Sequence, residues 1–522
     1  MPRKLLVLAA MIALTPLLAV SQDDASTDNA NAARANEPAP ATASSPIAAV
    51  FFAIDVAGKY CCSTTDPWPW TGVAAEGSTK AATWRTLGSG VSWMDISPCD
   101  PTATSCSMGN SWTCNSAGRC YDWSLLDYYV GLKPSGQAMM FTAWGTPAWD
   151  QLVVNNCNSS ANQGSCPPAD LSSGDTAWKN FITDLINHEG VGKIKYLEIW
   201  NEPNQPTSWV QGSQYITDLA QMVADGSAAA KAADSGIKVI SPPVTADSGS
   251  QYTYPNCSGI DVYLSELLNA GVATDKNVNI IGFHGYVSLN NTTYYALDAE
   301  CVGQLIASVQ SAVHAAGIAS GKLIYDTEDS WGGGQNESRI DPIETSNEEF
   351  AFTGIDYLIQ ASNTVCSSTP CYPLTGFSWF GWDFETSTGV FWGSSAANGS
   401  SPCPTGTAAA CLTNAGKVYV NVYQWLVGAI PTAPCSRDNT TSIWTCNFTR
   451  KSPSGYKAQA VWSDSPSCSS GCTYNSGNGF PSYAVYYRTL TSVPSSGDIK
   501  LSPAGSATIG FTPILLENVK LN

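Results

Sequence analysis

Short apolar runs alternate with longer amphipathic stretches over most of the chain. Eight runs have the length and composition of buried strands, and they lie at 50–56, 84–87, 138–141, 196–200, 239–242, 280–284, 323–327 and 376–380. Stretches with helical spacing lie between most of them, at 175–187, 215–233, 301–316, 344–359 and 415–427. Strands that mostly alternate with helices in this way are typical of a parallel (β/α)8 barrel, the TIM-barrel fold of the α/β class. The pattern therefore predicts a barrel domain over residues 47–431.

The pattern changes after about residue 432. Short strand candidates follow one another there, separated by turns rich in Pro, Gly and Ser, at 442–448, 456–462, 483–490, 506–509 and 514–517. Helical periodicity is absent from this stretch, and such spacing is typical of antiparallel β structure. We therefore predict a small C-terminal antiparallel β-sandwich over residues 432–522.

The N-terminal stretch shows neither pattern. Two basic residues precede an apolar run at 5–20 and small residues follow, which predicts a secretory signal peptide over residues 1–21. A membrane anchor is the alternative, but the run is short, contains Pro16 and is followed by two aspartates. Residues 22–46 are rich in Ala, Asn, Ser, Thr and Pro, and predict a flexible linker. We therefore expect a secreted protein, extracellular or periplasmic, with no membrane span in the mature chain.

Cysteine usage agrees with export. The chain of 522 residues has 18 Cys, many of them in close pairs, and none in the CxxC spacing typical of zinc sites. Disulfides in an oxidising compartment explain this spacing better than metal binding does. Local pairing is the simplest hypothesis, while the pairing among the six cysteines between 61 and 120 stays open. The close pairs are Cys114 with Cys120, Cys157 with Cys166, Cys366 with Cys371, Cys403 with Cys411, Cys435 with Cys446 and Cys468 with Cys472.

Charge and composition exclude several classes of partner. The 42 acidic and 24 basic side chains leave a net charge of −18, which would repel a nucleic acid. Three scattered histidines do not form a metal-ligand motif, and no phosphate-cradling Gly-rich loop with a Lys occurs. We therefore expect no metal and no cofactor.

The most informative stretch is the end of the strand at 196–200. It runs into Asn201, Glu202 and Pro203, and the C-terminal ends of barrel strands face the active site. A carboxyl group held against Trp200 and other aromatic side chains has its charged form disfavoured, so we expect a raised pKa that suits a general acid. A solvated turn is the alternative reading of an isolated Asn-Glu-Pro.

A second carboxylate has the same placement at the end of the strand at 323–327. Glu328 follows Glu202 by about three β/α units, so the two would come from the fourth and seventh strands. Two carboxylates across a barrel mouth can cleave a glycosidic bond: one donates a proton to the leaving oxygen, and the other attacks the sugar carbon or activates water. Asp326 and Asp329 are the alternatives for the second carboxylate.

Several motifs in this order carry a family resemblance. They are Ile-Trp-Asn-Glu-Pro-Asn at 199–204, Phe-His-Gly-Tyr at 283–286 and Thr-Glu-Asp-Ser-Trp-Gly at 327–332, with further segments at 84–93, 121–127 and 142–149. These motifs resemble glycoside hydrolase clan A, and most closely its family-39-like branch of β-xylosidases and polysaccharide-cleaving relatives. The resemblance covers roughly residues 48–520 and implies a retaining (β/α)8 hydrolase.

The resemblance also implies roles for individual residues. Glu202 matches the acid/base of the family and Glu328 its nucleophile. Asn201 matches the residue that holds the sugar 2-hydroxyl near the nucleophile. His284 and Tyr286 match groups that line the reacting subsite, with Tyr286 placed to hydrogen-bond the nucleophile.

Aromatic and basic residues near the strand ends complete the candidate site. Trp379 matches the sugar platform at the end of the eighth strand, whereas relatives often carry an acid where Gly88 stands. Arg85 ends the second strand, where it could bind the nucleophile carboxylate or form a structural ion pair. Further tryptophans could be sugar-stacking platforms or ordinary core, among them Trp144, Trp331 and Trp382.

The sequence as a whole predicts a secreted, monomeric, retaining glycoside hydrolase that acts on β-glycosidic bonds of a polysaccharide or oligosaccharide. A non-catalytic carbohydrate-binding or wall-associated protein on the same fold is the alternative. Such a protein would keep the aromatic residues but would not require both Glu202 and Glu328.

Overall fold

The structure is a computed structural model that describes most of the chain beyond residue 44. It describes residues 45–55, 82–87, 90–103, 112–133, 136–160, 162–246, 257, 259–287, 299–330, 347–366, 369–380, 414–490, 499–501 and 504–521. The predicted signal peptide and almost all of the predicted linker lie outside these residues, as do Gly88, Trp331, Trp382 and the predicted pair of Cys403 and Cys411.

Eight parallel strands close into a barrel, which confirms the predicted fold. Each strand pairs with its neighbours in chain order, and the eighth pairs with the first, where Phe377 lies opposite Phe52. In chain order the strands are β1 (Phe52–Asp55), β2 (Thr83–Thr86), β3 (Ala138–Ala143), β4 (Tyr196–Ile199), β5 (Lys238–Ile240), β6 (Val278–His284), β7 (Leu323–Asp329) and β8 (Leu374–Trp379).

The helices cover the outside of the barrel. The described residues contain α1 (Trp93–Ile96), α2 (Ser124–Leu132), α3 (Thr176–Glu189), α4 (Ser213–Ala233), α5 (Tyr263–Asn269), α6 (Cys301–Ala315), α7 (Asn347–Ser362) and α8 (Asn414–Leu426). In α3 the predicted apolar stripe is fully buried, including Trp178, Phe181 and Leu185. None of these helices is both long and apolar enough to cross a membrane.

The barrel interior divides into an apolar and a polar part. The apolar part contains the first residues of β3 and β4, Ala138 and Tyr196, together with Met140, Ile280 and Tyr325. Charged side chains occupy the interior nearer the C-terminal ends of the strands, where they form the candidate site described below. The barrel is therefore a packed core below an open mouth, as the fold requires.

Antiparallel sheets follow the barrel, as the sequence predicts. In chain order their strands are β9 (Ala429–Pro431), β10 (Ser436–Asp438), β11 (Ile443–Arg450), β12 (Lys457–Ser463), β13 (Cys472–Asn475), β14 (Tyr486–Thr489), β15 (Ile499–Lys500), β16 (Ser506–Ile509) and β17 (Ile514–Glu517). A seven-stranded sheet has the order β9-β11-β12-β17-β14-β15, with β10 beside β11, and β13 pairs with β16 in a second sheet. The first of these strands, β9, precedes the predicted boundary at residue 432.

Alternating side chains bury both faces of the larger sheet. Trp462 belongs to the main core of the barrel, whereas its neighbour Val461 packs in a separate cluster with Tyr474 and Ile509 of the smaller sheet. The indole Nε1 of Trp462 donates a hydrogen bond of 2.7 Å to Oε1 of Glu300, just before α6. The two sheets thus form a sandwich that is attached to the barrel.

Five of the six disulfides that the structure describes in full join residues that are close in the chain. Cysteines pair at 114–120, 157–166, 366–371, 435–446 and 468–472, which confirms five of the predicted local pairs. Cys257 pairs with Cys301, 44 residues away, and ties the segment before α5 to the start of α6. All 13 cysteines in the described residues are disulfide-bonded. A bridge over a longer loop removes more unfolded-state entropy, so Cys257–Cys301 contributes more than each of the five local bridges in that model.

Candidate active site

Arg85 at the end of β2 is the centre of a buried ionic network. Its Nη1 donates to Oδ2 of Asp55 at 2.6 Å and to Oε2 of Glu328 at 2.5 Å. Its Nε donates to Oε2 of Glu198 at 2.9 Å, and its Nη2 donates to Oδ1 of Asn201 at 2.9 Å. Strands β1, β4 and β7 therefore present side chains to the guanidinium group of one residue on β2.

The network keeps Arg85 charged although it is fully buried. Burial alone would lower the pKa of Arg85, but the carboxylates of Glu198, Asp55 and Glu328 raise it well above its ordinary value. A buried charge requires such partners, because removing one partner leaves an uncompensated ion. Arg85 thus contacts the carboxylate of Glu328 and also forms ion pairs with Asp55 and Glu198.

The chain leaves β4 through a strained turn that presents Glu202. Trp200 and Glu202 have φ values of 68° and 42°, in the left-handed region that non-glycine residues rarely adopt. The indole of Trp200 is buried, donates to the carbonyl of Ser208 at 2.9 Å and packs edge-on against Trp209. Such backbone strain persists only where the surrounding structure holds the residues in place. Here the strained turn places the side chain of Glu202 beside His284.

Glu328 is held on both of its oxygens. The hydroxyl of Tyr286 donates to Oε1 at 2.8 Å, and Arg85 binds Oε2. Burial would raise the pKa of Glu328, but His284, Arg85 and Tyr286 outweigh it and lower the pKa below its ordinary value. The carboxylate is therefore ionised at neutral pH and oriented by fixed donors.

His284 at the end of β6 lies between the two carboxylates. Its Nδ1 is 2.8 Å from Oε1 of Glu202, and its Nε2 is 3.7 Å from Oε2 of Glu328. One oxygen of each carboxylate and a nitrogen of His284 lie within 4.8 Å of one another. The Glu202 side chain is 23% exposed and that of Glu328 8%, while His284 is completely buried. The structure thus brings the two predicted carboxylates together, in contact with the predicted histidine and tyrosine.

The same three residues have the donor atoms of a metal site, but their surroundings disfavour a cation. Oε2 of Glu328 already accepts a hydrogen bond from Arg85 at 2.5 Å. A metal ion at that oxygen would lie beside a guanidinium charge in a buried environment, where like charges repel strongly. The arrangement suits an anionic nucleophile better than a metal ligand.

The alternative carboxylates of β7 point elsewhere. Asp326 accepts the backbone N–H of Gly285 at 3.0 Å and a hydrogen bond from the side chain of Gln360 in α7. Asp329 is 2% exposed. Burial, together with Asp356 of α7, raises the pKa of both groups well above the ordinary value. Of these three acids, Glu328 is the one that combines ionisation with contact to the other site residues.

Trp379, the predicted platform at the end of β8, is not brought into this group. Trp379 is 1% exposed and stacks on Tyr357 of α7 at 5.8 Å, and Phe377 of the same strand also contacts Tyr357. Both side chains therefore face the helix layer, and this arrangement does not support a sugar platform at Trp379. Trp144 is half-buried just after β3, and its role stays a prediction.

Sequence reasoning missed two acids and a hydroxyl in the network. Asp55 ends β1, and Glu198 lies inside β4, where Thr142 of β3 donates to its Oε2 at 2.7 Å. The signal was present, because a glutamate within the apolar run Tyr-Leu-Glu-Ile is almost never fully buried without a partner. That signal could have indicated a buried cation opposite Glu198.

The parallel barrel with charged groups at the C-terminal strand ends defines an enzyme-type (β/α)8 fold. No family model and no curated protein matches the sequence. Solved structures that share the fold include the following three, all at low identity. A glucosidase from Croceicoccus marinus has a TM-score of 0.52 at 13% identity, and the match covers 92% of this chain and 96% of that one. A GH39 enzyme from Xanthomonas axonopodis pv. citri has a TM-score of 0.51 at 14% identity, covering 93% and 98%. A GH39 β-xylosidase from Caulobacter crescentus has a TM-score of 0.51 at 12% identity, covering 91% and 98%. The resemblance indicated by the motifs is therefore confirmed in the fold.

Proposed function

We propose that the protein is a retaining glycoside hydrolase that cleaves β-glycosidic bonds in a polysaccharide or oligosaccharide. The observation that carries the proposal is the approach of Glu202 and Glu328 at the barrel mouth, with oxygens within 4.8 Å. Retaining enzymes hold their carboxyl groups about 5–5.5 Å apart, whereas inverting enzymes leave room for a water at about 6.5–9.5 Å. The glycosidases that share the fold support the same class of reaction.

In the first step Glu328 attacks the anomeric carbon of the bound sugar. Its lowered pKa keeps it ionised, and Arg85 and Tyr286 fix its two oxygens. Glu202 donates a proton to the glycosidic oxygen as the bond to the leaving group breaks. His284 holds Oε1 of Glu202, which leaves the other oxygen to meet the leaving group. The product of this step is a covalent glycosyl-enzyme ester on Glu328.

In the second step water replaces the enzyme at the anomeric carbon. Glu202, now a carboxylate, takes a proton from the water, and Glu328 leaves as the ionised carboxylate. Two displacements restore the original anomeric configuration. Asn201 accepts a hydrogen bond from Arg85 through Oδ1, so its amide N–H groups remain to donate to a sugar hydroxyl.

We also propose that the protein acts outside the cytoplasm as a monomer with two domains, 47–431 and 432–522. The disulfides of the described residues support an oxidising compartment, because such bonds are rare in reducing ones.

The test is hydrolysis of a panel of aryl β-glycosides and β-linked polysaccharides by the wild type, Glu202→Gln and Glu328→Gln. Each variant should lose several orders of magnitude in kcat/KM while its circular dichroism stays unchanged. An aryl glycoside with a good leaving group should partly rescue Glu202→Gln, because little protonation is needed, and should not rescue Glu328→Gln.

The stereochemistry of the first-formed sugar separates the mechanisms. Proton NMR should detect the β-anomer before mutarotation, and an initial α-anomer would refute retention. Saturable glycan binding without any hydrolysis by the wild type would instead favour the carbohydrate-binding alternative.

A further inference from the structure

The barrel end opposite the candidate active site carries an unusual concentration of positive charge. A pocket of about 500 Å³ lies there, formed by residues at the starts of β4, β5, β6, β7 and β8. Four lysines line it: Lys195, Lys238, Lys276 and Lys322. We call these four residues and the space between them the lysine pocket. Leu323 at this end and Glu328 at the other are separated by about 16 Å along β7.

The charge of the lysine pocket contrasts with that of the whole chain. The protein has a net charge of −18 and only 24 basic side chains, of which four surround this one pocket. No acidic residue is among the described residues that line it. The neighbouring carboxylate, Asp275, is bonded through Oδ2 to the hydroxyl of Ser227 at 2.6 Å and through Oδ1 to a backbone N–H at 2.8 Å.

The four ammonium groups differ in whether they already interact with other groups of the protein. Lys322 donates to the carbonyl of Val278 at 2.7 Å, and Lys195 lies over the ring of Tyr196 at 5.5 Å. Lys238 and Lys276 are exposed, and neither forms a hydrogen bond or ion pair through its side chain with another described residue. Like charges gathered in this way repel one another, so a bound anion would remove an unfavourable interaction.

We propose that the lysine pocket binds a phosphorylated ligand, either a small molecule or a phosphate-bearing segment of a polymer. The cationic side chains that line the pocket are lysines and not arginines. A lysine ammonium is a compact point charge with three N–H donors, and lysines bind phosphate oxygens in this way in other proteins. The volume falls in the range of small-molecule sites. Asn279 adds a neutral donor, because its Oδ1 accepts the N–H of Val239 and leaves Nδ2 free for a ligand oxygen.

The test uses sodium tripolyphosphate as the probe and the full chain as the protein, with binding measured by isothermal titration calorimetry. The double variant Lys238→Ala/Lys276→Ala removes the two lysines without described side-chain partners. The matched control, Lys451→Ala/Lys500→Ala, removes two exposed lysines of the C-terminal sheets. We expect the first variant to weaken binding at least about tenfold and the control less than about twofold, since the control lysines do not line the pocket.

Two further measurements test whether binding at the lysine pocket is independent of the candidate active site and whether the phosphate comes from a small molecule or a polymer. Glu328→Gln should bind tripolyphosphate as the wild type does, because the pocket lies at the other end of the barrel. Phosphorylated starch tests polymer-borne phosphate, and binding of either probe through the lysine pocket supports the proposal. Failure of both probes to bind, or equal weakening in the two double variants, would overturn it. Hydrolysis of glycosides is measured in parallel and decides the proposed function independently.

Discussion

Replacing Tyr286 with Phe should move the acid limb of the pH–activity profile to higher pH. The Tyr286 hydroxyl donates to Oε1 of Glu328 at 2.8 Å and so stabilises the ionised carboxylate. A hydrogen bond to a charged group contributes about 1.5–3 kcal/mol, and one pKa unit corresponds to about 1.4 kcal/mol. Tyr286→Phe should therefore raise the pKa of Glu328 by about 1–2 units, with Arg85 still in place.

The sign of the activity change follows from the form of Glu328 that reacts. The nucleophile must be ionised, so activity is lost as the pH falls through its pKa, and a raised pKa brings that loss on at higher pH. Between the two pKa values the wild-type rate stays level while the variant loses about tenfold per pH unit. The ratio of wild-type to variant kcat/KM should thus grow by about 10- to 100-fold as the pH is lowered.

The assay measures kcat/KM against pH with an activated aryl β-glycoside, so that proton donation by Glu202 does not limit the rate. Tyr263→Phe is the matched control, because its hydroxyl is buried without a hydrogen-bond partner among the described residues. The control profile should superimpose on that of the wild type. An acid limb of Tyr286→Phe that stays in place or moves to lower pH would refute the inferred role of the hydroxyl.

Four further outcomes are expected. Burial raises the pKa of Asp175 to about 8, so this carboxyl takes up a proton on folding and stability falls as the pH rises between about 4 and 8. Asp175→Asn should remove this loss, adding up to about 4 kcal/mol at pH 7 in thermal unfolding, and an unchanged pH dependence would contradict it. Trp462→Phe deprives Glu300 of a buried donor and should lower the free energy of unfolding in urea by about 1–3 kcal/mol. Gly285→Ala places a Cβ against two buried carboxylates of β7 and should lower kcat about 100-fold by displacing the end of β6, with near-normal kinetics as the contrary result. At least 16 of the 18 cysteines should be oxidised in secreted protein, and six or more free thiols by mass spectrometry would discard the disulfide framework.

The sequence predicted long, strongly patterned elements well and short ones poorly. All eight barrel strands were predicted, as were the five longest helices described, α3, α4, α6, α7 and α8. The single-turn helix α1 was not, because its order depends on a capping box between Ser92 and Asp95 and on tertiary packing rather than on an apolar repeat. Elements of this length have too few residues to show a period.

In the site, position along a strand was predictable and side-chain direction was not. Glu202 and Glu328 could be found because each follows a buried strand. The direction of Trp379 could not, because the last residues of β8 are buried on both faces of the strand, so an apolar pattern does not tell which side chains face the barrel interior. Phe377 and Trp379 lie on the same face, and both contact Tyr357 of α7. The convergence on Arg85 joins residues up to 243 positions apart and is likewise invisible to local patterns.

The polar network around Arg85 is built from residues at the strand ends, so evolution can change the connecting loops independently of it. Every contact described for this guanidinium comes from a strand or from the residue just beyond one, as with Asn201 after β4. Insertions or replacements in the connecting loops can therefore occur without moving Glu198 or Glu328. Loss of Arg85, by contrast, leaves the buried carboxylates of Asp55, Glu198 and Glu328 without their shared cation at once. Selection should therefore tolerate diversity in the loops that connect the strands and resist it at the strand ends.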